Sequence, residues 1–134
     1  MDLSNINVLV LAYLGDSVYE TIIRDYLVKS GIANINDLHA AALKFSPAKK
    51  QSIYIHDMLE RNLLTDLEVS IVMRGRNHKS SHPAKTSTAS EYKYATGLEA
   101  LLGYLYLNGN NDRINEIMKY VLERGNNELS WLWW

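Results

Sequence analysis

The sequence predicts an all-α protein, and three observations carry that prediction. Apolar residues recur at spacings of three and four along most of the 134 residues, no segment alternates like a strand, and several segments begin with helix-capping residues. Hydrophobic residues make up 47% of the chain, which is enough for the core of one ordinary domain. We therefore expect about six helices in a single domain spanning residues 1–134.

The first half of the chain predicts three helices. The longest covers residues 8–29, where the apolar spacing is most regular, and Gly31 supplies its stop signal. A short alanine-rich helix is expected over residues 37–45. Ser46 directly precedes a proline, which is typical of a capping residue followed by a first helical turn, so a third helix is expected from there to residue 61.

Two capping boxes begin helices in the second half of the chain. In each box a threonine stands three residues before a glutamate, and the pairs are Thr65 with Glu68 and Thr88 with Glu91. The first of these helices is expected to end at residue 72 and the second, which carries Glu99, near Gly109. An amphipathic helix over residues 112–124, closed by Gly125, completes the fold.

Composition and charge narrow the possible settings. The chain has no cysteine, which excludes disulfides and thiolate metal sites and fits a reducing compartment. The apolar run at residues 8–14 is too short for a membrane span and lacks the basic leader of a secretion signal. We expect a cytoplasmic protein with no membrane partner, in which a local basic patch would hold any nucleic acid, because the net charge is only -1.

The segment 74–87, RGRNHKSSHPAKTS, interrupts the helical pattern and predicts a basic loop. No acidic residue occurs between Glu68 and Glu91, so its local charge is positive. Cationic and small polar side chains together suit contacts with phosphates, and a solvated surface loop is the alternative. The candidate binding residues, to which the resemblance described below gives an RNA-binding role, are Arg74, Arg76, Asn77, Lys79 and Lys85.

Two acids in apolar, small-residue-rich stretches are the candidate catalytic residues. Asp16 lies in LAYLGDSVYE and Glu99 in YATGLEALLGYLYL, and a carboxylate in such surroundings is costly unless it is paired or binds a metal. Small residues around Glu99 would let another helix approach closely, so the two carboxylates could face each other and seat a hard divalent cation. The alternative for each is a structural acid that a hydroxyl or an arginine satisfies. The small residues are Gly97, Ala100 and Gly103.

The four histidines show no spacing typical of a metal site. They are His39, His56, His78 and His82.

These motifs, in this order, resemble the ribonuclease III family. LAYLGDSVYE is similar to the signature of its catalytic domain, while MRGRNHKS and EYKYATGLEALLGYLYL resemble the short bacterial subfamily, Mini-ribonuclease III. The resemblance covers about residues 8–121. It implies the ribonuclease III catalytic fold, of six or seven helices, without a separate double-stranded-RNA-binding domain.

The resemblance also implies the activity. Asp16 and Glu99 become the catalytic residues and the metal ligands of an endonuclease that cleaves double-stranded RNA with Mg²⁺, for which Mn²⁺ can substitute, leaving 5′-phosphate and 3′-hydroxyl ends. The implied substrate is precursor 23S ribosomal RNA, and the implied partners are a second copy of the chain, ribosomal proteins and the assembling large subunit. The first helix is the candidate dimer interface, through Tyr13, Leu14, Val18 and Ile22, unless these residues fill the monomer core.

The sequence departs from the larger relatives at two positions. Those enzymes place further acids about one turn before each catalytic carboxylate, where this chain has Ala12 and Thr96. We therefore expect a metal site with few acidic ligands. A non-catalytic RNA-binding factor of ribosome assembly is the alternative function, and a helical metal-dependent nucleotide hydrolase is a second. The tryptophan-rich segment 130–134 is expected to dock on a helix or a dimer groove.

Overall fold

The computed structural model describes residues 2–78 and 88–127, which form helices around a central one. Those residues contain no strand, and the all-α prediction is confirmed. Helix α5 is central because it packs against α1, α3, α4 and α6. After a short 3-10 turn at Leu3–Asn5, the helices are α1 (Val8–Lys29), α2 (Ile35–Ala42), α3 (Ala48–Glu60), α4 (Asp66–Arg76), α5 (Ala89–Leu107) and α6 (Asn111–Asn126).

Local capping explains where most of these helices begin. Both predicted capping boxes are present, at the start of α4 and of α5. Asparagine side chains cap α1, α2 and α6. The prediction that Ser46 caps α3 is wrong. Pro47 occupies the cap position of α3, and the Ser46 hydroxyl is buried without a hydrogen bond within the described residues.

Helices α1 and α5 touch through their backbones. A Cβ atom on Gly15 would lie 1.6 Å from the carbonyl oxygen of Glu99, and one on Gly103 would lie 2.0 Å from the carbonyl oxygen of Leu11. Neither position has room for any side chain, since real Cβ contacts of that length do not occur. The predicted close approach of a helix to Gly103 is therefore confirmed, and α1 is the helix that approaches.

Helix α4 is longer than the sequence predicted. Arg74 and Arg76 lie in its last turn and not in a loop, and Asn77 is its C-terminal cap. The reason is a tertiary contact: a Cβ atom on Gly75 would lie 2.7 Å from the Cα atom of Gly97, so the glycine lets α4 cross α5. Packing thus outweighs the low helix propensity of glycine. Gly97 accordingly faces α4, whereas Gly103 faces α1.

Helix α6 also continues past its predicted end. Gly125 lies inside the last turn of α6, where a Cβ atom would come within 2.4 Å of the Phe45 ring. This glycine therefore serves packing and does not end the helix. Two side-chain bonds fix the same helix: Arg124 pairs with Asp57 of α3 at 2.6 Å, and Asn126 donates to the Tyr26 hydroxyl at 2.7 Å.

One buried ion pair joins α4 to α6. The Glu68 side chain is 7% exposed, and its carboxylate accepts hydrogen bonds from both Nε and Nη2 of Arg113 at 2.9 Å. Glu68 also accepts from the backbone N–H of Thr65, while Arg113 reaches the carbonyl oxygen of Leu63. The hydrogen bonds from Arg113 hold the pKa of the Glu68 carboxyl below its usual range. This glutamate is satisfied entirely by groups of the protein itself.

None of the helices in the described part of the chain is long and apolar enough to span a bilayer. The tryptophan-rich segment 130–134 lies outside the described residues.

Candidate active site

Asp16 of α1 and Glu99 of α5 lie together at the contact between their helices. They line one cavity of about 260 Å³, with Leu9, Ala12, Tyr13, Tyr92 and Thr96. The backbone contact at Gly15 brings the carboxylates together, because Gly15 directly precedes Asp16 and touches the backbone of Glu99. Two larger cavities, of about 490 and 650 Å³, contain at most one acidic residue each.

The Glu99 carboxyl is in a strongly anionic setting. Burial raises its pKa, and the hydrogen bond with Asp16 and the charges of Asp16 and Glu20 raise it further, to about 9. The carboxyl therefore carries a proton at neutral pH when no cation is bound. Since no cationic side chain of the described residues lines this cavity, the Glu99 carboxyl is well suited to exchange its proton for a cation from solution.

Glu20 is partly occupied elsewhere. Its carboxylate lies 3.6 Å from the Arg24 guanidinium, one turn further along α1. This exposed pair is weak and leaves the charge of Glu20 acting on Glu99.

Sequence reasoning missed Gln51 of α3. Its side chain is 4% exposed and forms a hydrogen bond with Glu99, which opposes the rise in the pKa of that carboxyl. The amide Nε2 also donates to the carbonyl oxygen of Ser46 at 3.0 Å, so this nitrogen faces two acceptors and the amide orientation is fixed. No motif marks Gln51, and only its place on the buried face of an otherwise apolar stretch could have drawn notice.

The positions where larger relatives carry additional acids add no charge here. Ala12 and Thr96 both line the cavity and are buried. The Thr96 hydroxyl donates to the carbonyl oxygen of Tyr92 at 2.9 Å, which leaves its oxygen lone pairs available. Among residues 2–78 and 88–127, no group of three or more histidines and acids is placed to hold a metal ion. How many acidic ligands hold the metal stays a prediction.

Those predicted RNA-binding residues that the structure describes point in two directions. Arg74 points toward the start of the chain and donates to the carbonyl oxygen of Ile6 at 3.1 Å. Arg76 donates to the side chain of Asn77 at 2.9 Å and stacks over the Tyr94 ring. The remaining two, Lys79 and Lys85, lie outside the described residues.

Comparison with known proteins places this chain among ribonucleases. The sequence model of one protein family, the ribonuclease III domain, matches residues 9–110. The Mini-ribonuclease 3 of Clostridium tetani is 42% identical over 90% of this chain and 80% of its own length. That of Symbiobacterium thermophilum is 41% identical over 87% of this chain and 91% of its own.

A solved structure agrees with these matches. The crystal structure of a protein from Fusobacterium nucleatum superposes with a TM-score of 0.83 at 32% identity, and the match covers 92% of this chain and 98% of that one.

Proposed function

We propose that this chain, which belongs to the ribonuclease III family, cleaves double-stranded RNA with Asp16 and Glu99 as its catalytic residues and with a divalent metal ion. Family membership makes the chain an endoribonuclease that acts on double-stranded RNA. The roles of the two acids and the metal are our proposal. The single observation that carries it is the meeting of two carboxylates in one cavity where, among residues 2–78 and 88–127, no cationic side chain lines the wall beside Glu99.

The residues of the cavity fit a hard divalent cation. Mg²⁺ prefers oxygen ligands and keeps several waters, and Mn²⁺ accepts the same donors. Asp16 and Glu99 would hold the ion through carboxylate oxygens, with the Thr96 hydroxyl as the nearest neutral oxygen donor on the same wall. A bound Mg²⁺ supplies activation of a water and stabilisation of negative charge on the phosphoryl oxygens.

The protein's own groups prepare that chemistry. Glu99 must lose its proton to bind the ion, and the Gln51 hydrogen bond favours the ionised carboxylate. Asp16 is held beside it by the backbone contact at Gly15. Leu9 and Tyr13 form an apolar edge of the cavity. The products would carry 5′-phosphate and 3′-hydroxyl ends.

Exposed apolar side chains on α1 support a homodimer. Tyr13 is 85% exposed, and Leu14, Val18 and Ile22 line a cavity of about 490 Å³. These residues therefore do not all fill the monomer core. A two-fold pair of sites, one from each copy, would cut both strands of a duplex.

The biological substrate we propose is precursor 23S ribosomal RNA, in the cytoplasm, with ribosomal proteins of the assembling large subunit as partners. An A-form duplex shows a protein its shallow minor groove, its 2′-hydroxyls and its phosphates more readily than its bases. RNA shape, supplied by the folded precursor, would then determine where the chain cuts.

The test uses Asp16→Asn with Asp25→Asn as the matched control. Asp25 lies on α1 and forms an exposed pair with Lys29 at 3.1 Å. With duplex RNA and Mg²⁺, we expect cleavage by the wild type and by Asp25→Asn, and no detectable cleavage by Asp16→Asn, which still binds the duplex. Binding without cleavage by the wild type would select the ribosome-assembly factor, and full activity of Asp16→Asn would refute the assignment of the site.

A further inference from the structure

A separate polar cavity lies where the C-terminal end of α4 meets the first turns of α5. Its volume is about 330 Å³, and its lining consists of Arg76, Asn77, Ser90, Lys93 and Tyr94. We call it the phosphate pocket, for the reasons that follow. Ser90 and Lys93 belong to no site that the sequence predicted.

Two cations share this pocket, and neither has a carboxylate partner in the described part of the chain. Neither Arg76 nor Lys93 has an acidic oxygen within 4.0 Å among residues 2–78 and 88–127. Glu91 lies nearest in sequence, and its carboxylate is committed to the capping box, where it accepts from the backbone N–H of Thr88 at 2.9 Å. Two like charges facing one cavity repel each other, and an anion placed between them removes that cost.

The arginine of the pocket is held in place before any ligand arrives. Its guanidinium carbon lies 5.4 Å from the centroid of the Tyr94 ring, and Tyr94 in turn stacks on His56 with ring centroids 3.9 Å apart. A hydrogen bond from Nη1 to Asn77 fixes the guanidinium further. A pre-organised guanidinium loses little conformational freedom on binding and presents its remaining N–H groups as a fork that matches phosphate oxygens.

Neutral donors complete the lining. Ser90 contributes a hydroxyl, and the amide nitrogen of Asn77 stays available because its oxygen accepts from Arg76. The pocket also adjoins the positive end of α5, which begins at Ala89. Cations, a guanidinium fork and small donors together form the set that binds nucleic-acid phosphates.

We infer that the phosphate pocket binds a non-scissile phosphate of the duplex RNA backbone, with Lys93 and Arg76 as its charged groups. The inference rests on the proposed function and adds a second point of contact with the same substrate. Lys93 precedes Glu99 by six residues on α5, which places them about 9 Å apart along the helix axis and about 120° apart around it. The phosphate held here is therefore a different one from the phosphate that is cleaved.

The test compares Lys93→Met with Lys119→Met, an exposed lysine on α6. Both changes remove one charge and keep most of the aliphatic stem, and neither side chain is buried. Duplex binding is measured in the Asp16→Asn background over a range of salt concentrations, with a third variant, Arg76→Met. We expect Lys93→Met and Arg76→Met to weaken binding several-fold and to make the log–log salt dependence shallower by about 1 each. Lys119→Met should leave both quantities unchanged.

Cleavage kinetics in the otherwise wild-type chain give the second readout. Because the pocket holds a non-scissile phosphate, Lys93→Met should raise KM several-fold and leave kcat near that of the wild type. Unchanged salt slopes for Lys93→Met and Arg76→Met in a chain that still cleaves duplex RNA would overturn the pocket and leave the nuclease intact. An equal reduction of the salt slope in Lys119→Met would also overturn the pocket, since any surface charge would then contribute to binding as much as Lys93 does. A wild type that neither binds nor cleaves duplex RNA would refute the nuclease, and the pocket with it.

Discussion

Glu68 and Glu99 are glutamates on neighbouring helices that the protein treats in opposite ways. Glu68 stands in the first turn of α4, buried, with two bonds from Arg113 and one from the backbone of Thr65. Glu99 lies in the middle of α5, beside Asp16 and near the charge of Glu20, and among the described residues only the neutral Gln51 opposes their effect on its pKa. The pKa of Glu68 is lowered and that of Glu99 is raised to about 9.

The difference separates a structural carboxylate from one reserved for an external cation. A buried charge is costly unless it is paired, and Arg113 pairs Glu68 within the fold. The Glu99 site instead accumulates negative groups, so it remains protonated until a cation arrives. Arg113 of α6 supplies the cation for Glu68, whereas no described residue supplies one for Glu99, so we expect that cation to come from solution.

Removing Arg113 should give the largest effect on stability. Arg113→Met leaves the Glu68 carboxylate buried without a counter-charge, and we expect a loss of about 3 kcal/mol in the free energy of unfolding, at the low end for buried pairs because 23% of the Arg113 side chain is exposed. Urea denaturation at pH 7 measures it. Glu116→Gln is the control, since Glu116 bonds the same arginine but is 66% exposed, and it should cost under about 0.5 kcal/mol. Equal effects of the two changes would contradict the distinction.

The two glutamates should give the stability of the metal-free chain opposite pH dependences. The folded chain keeps a proton on Glu99 up to about pH 9, whereas the unfolded chain releases it near 4.5. This contribution is thus full below pH 4.5 and is lost as the pH rises toward 9. For Glu68 the folded pKa is lowered, so its contribution is present above about pH 4.5 and is lost as the pH falls.

Denaturation midpoints of Glu99→Gln and Glu68→Gln across pH 3–9, without metal, separate these contributions. Glu99→Gln should remove the decline in stability toward alkaline pH, and Glu68→Gln should reduce the decline toward acid. Since the ion displaces a proton from Glu99, Mg²⁺ affinity measured by calorimetry should rise by up to about tenfold per pH unit below 9. If the denaturation midpoint of Glu99→Gln depends on pH in the same way as that of the wild type, then Glu99 is ionised at neutral pH, like Glu68.

Replacing Gln51 should give the smallest effect. Gln51→Leu removes the one hydrogen bond that favours the ionised form of Glu99, so Mg²⁺ should bind up to about tenfold more weakly at pH 7. Ser52→Ala is the control, because Ser52 is the next residue on α3 and equally buried. Calorimetric titration of both variants with Mg²⁺, without RNA, measures this affinity. An unchanged Mg²⁺ affinity in Gln51→Leu would show that Gln51 serves packing alone.

Local signals in the sequence predicted the helices well. Both capping boxes and the stop at Gly31, which has a φ of +88°, depend on residues within one turn of each other, so they can be recognised without the fold. The ends of α4 and α6 were mistaken because Gly75 and Gly125 serve contacts with distant residues, Gly97 and Phe45. From the sequence alone, a glycine that serves packing cannot be told from one that ends a helix.

The candidate site was predictable in part for the same reason. Asp16 and Glu99 stand out because charge is rare in their apolar surroundings. Gln51 and Lys93 do not stand out, since one polar residue on a mixed helix has no local signature. Their significance comes from the partners that folding supplies, Glu99 for one and Arg76 for the other.

The backbone contact between α1 and α5 makes the spacing of the acidic pair a property of the main chain. With the Glu99 carbonyl against Gly15 and that of Leu11 against Gly103, no compressible layer of side chains separates the helices. Repacking this seam cannot adjust the spacing in small steps, because any larger residue at either glycine would clash with the main chain of the other helix. Metal selectivity in this chain would therefore be retuned by side-chain length, as in Asp16→Glu, within a frame whose width stays constant.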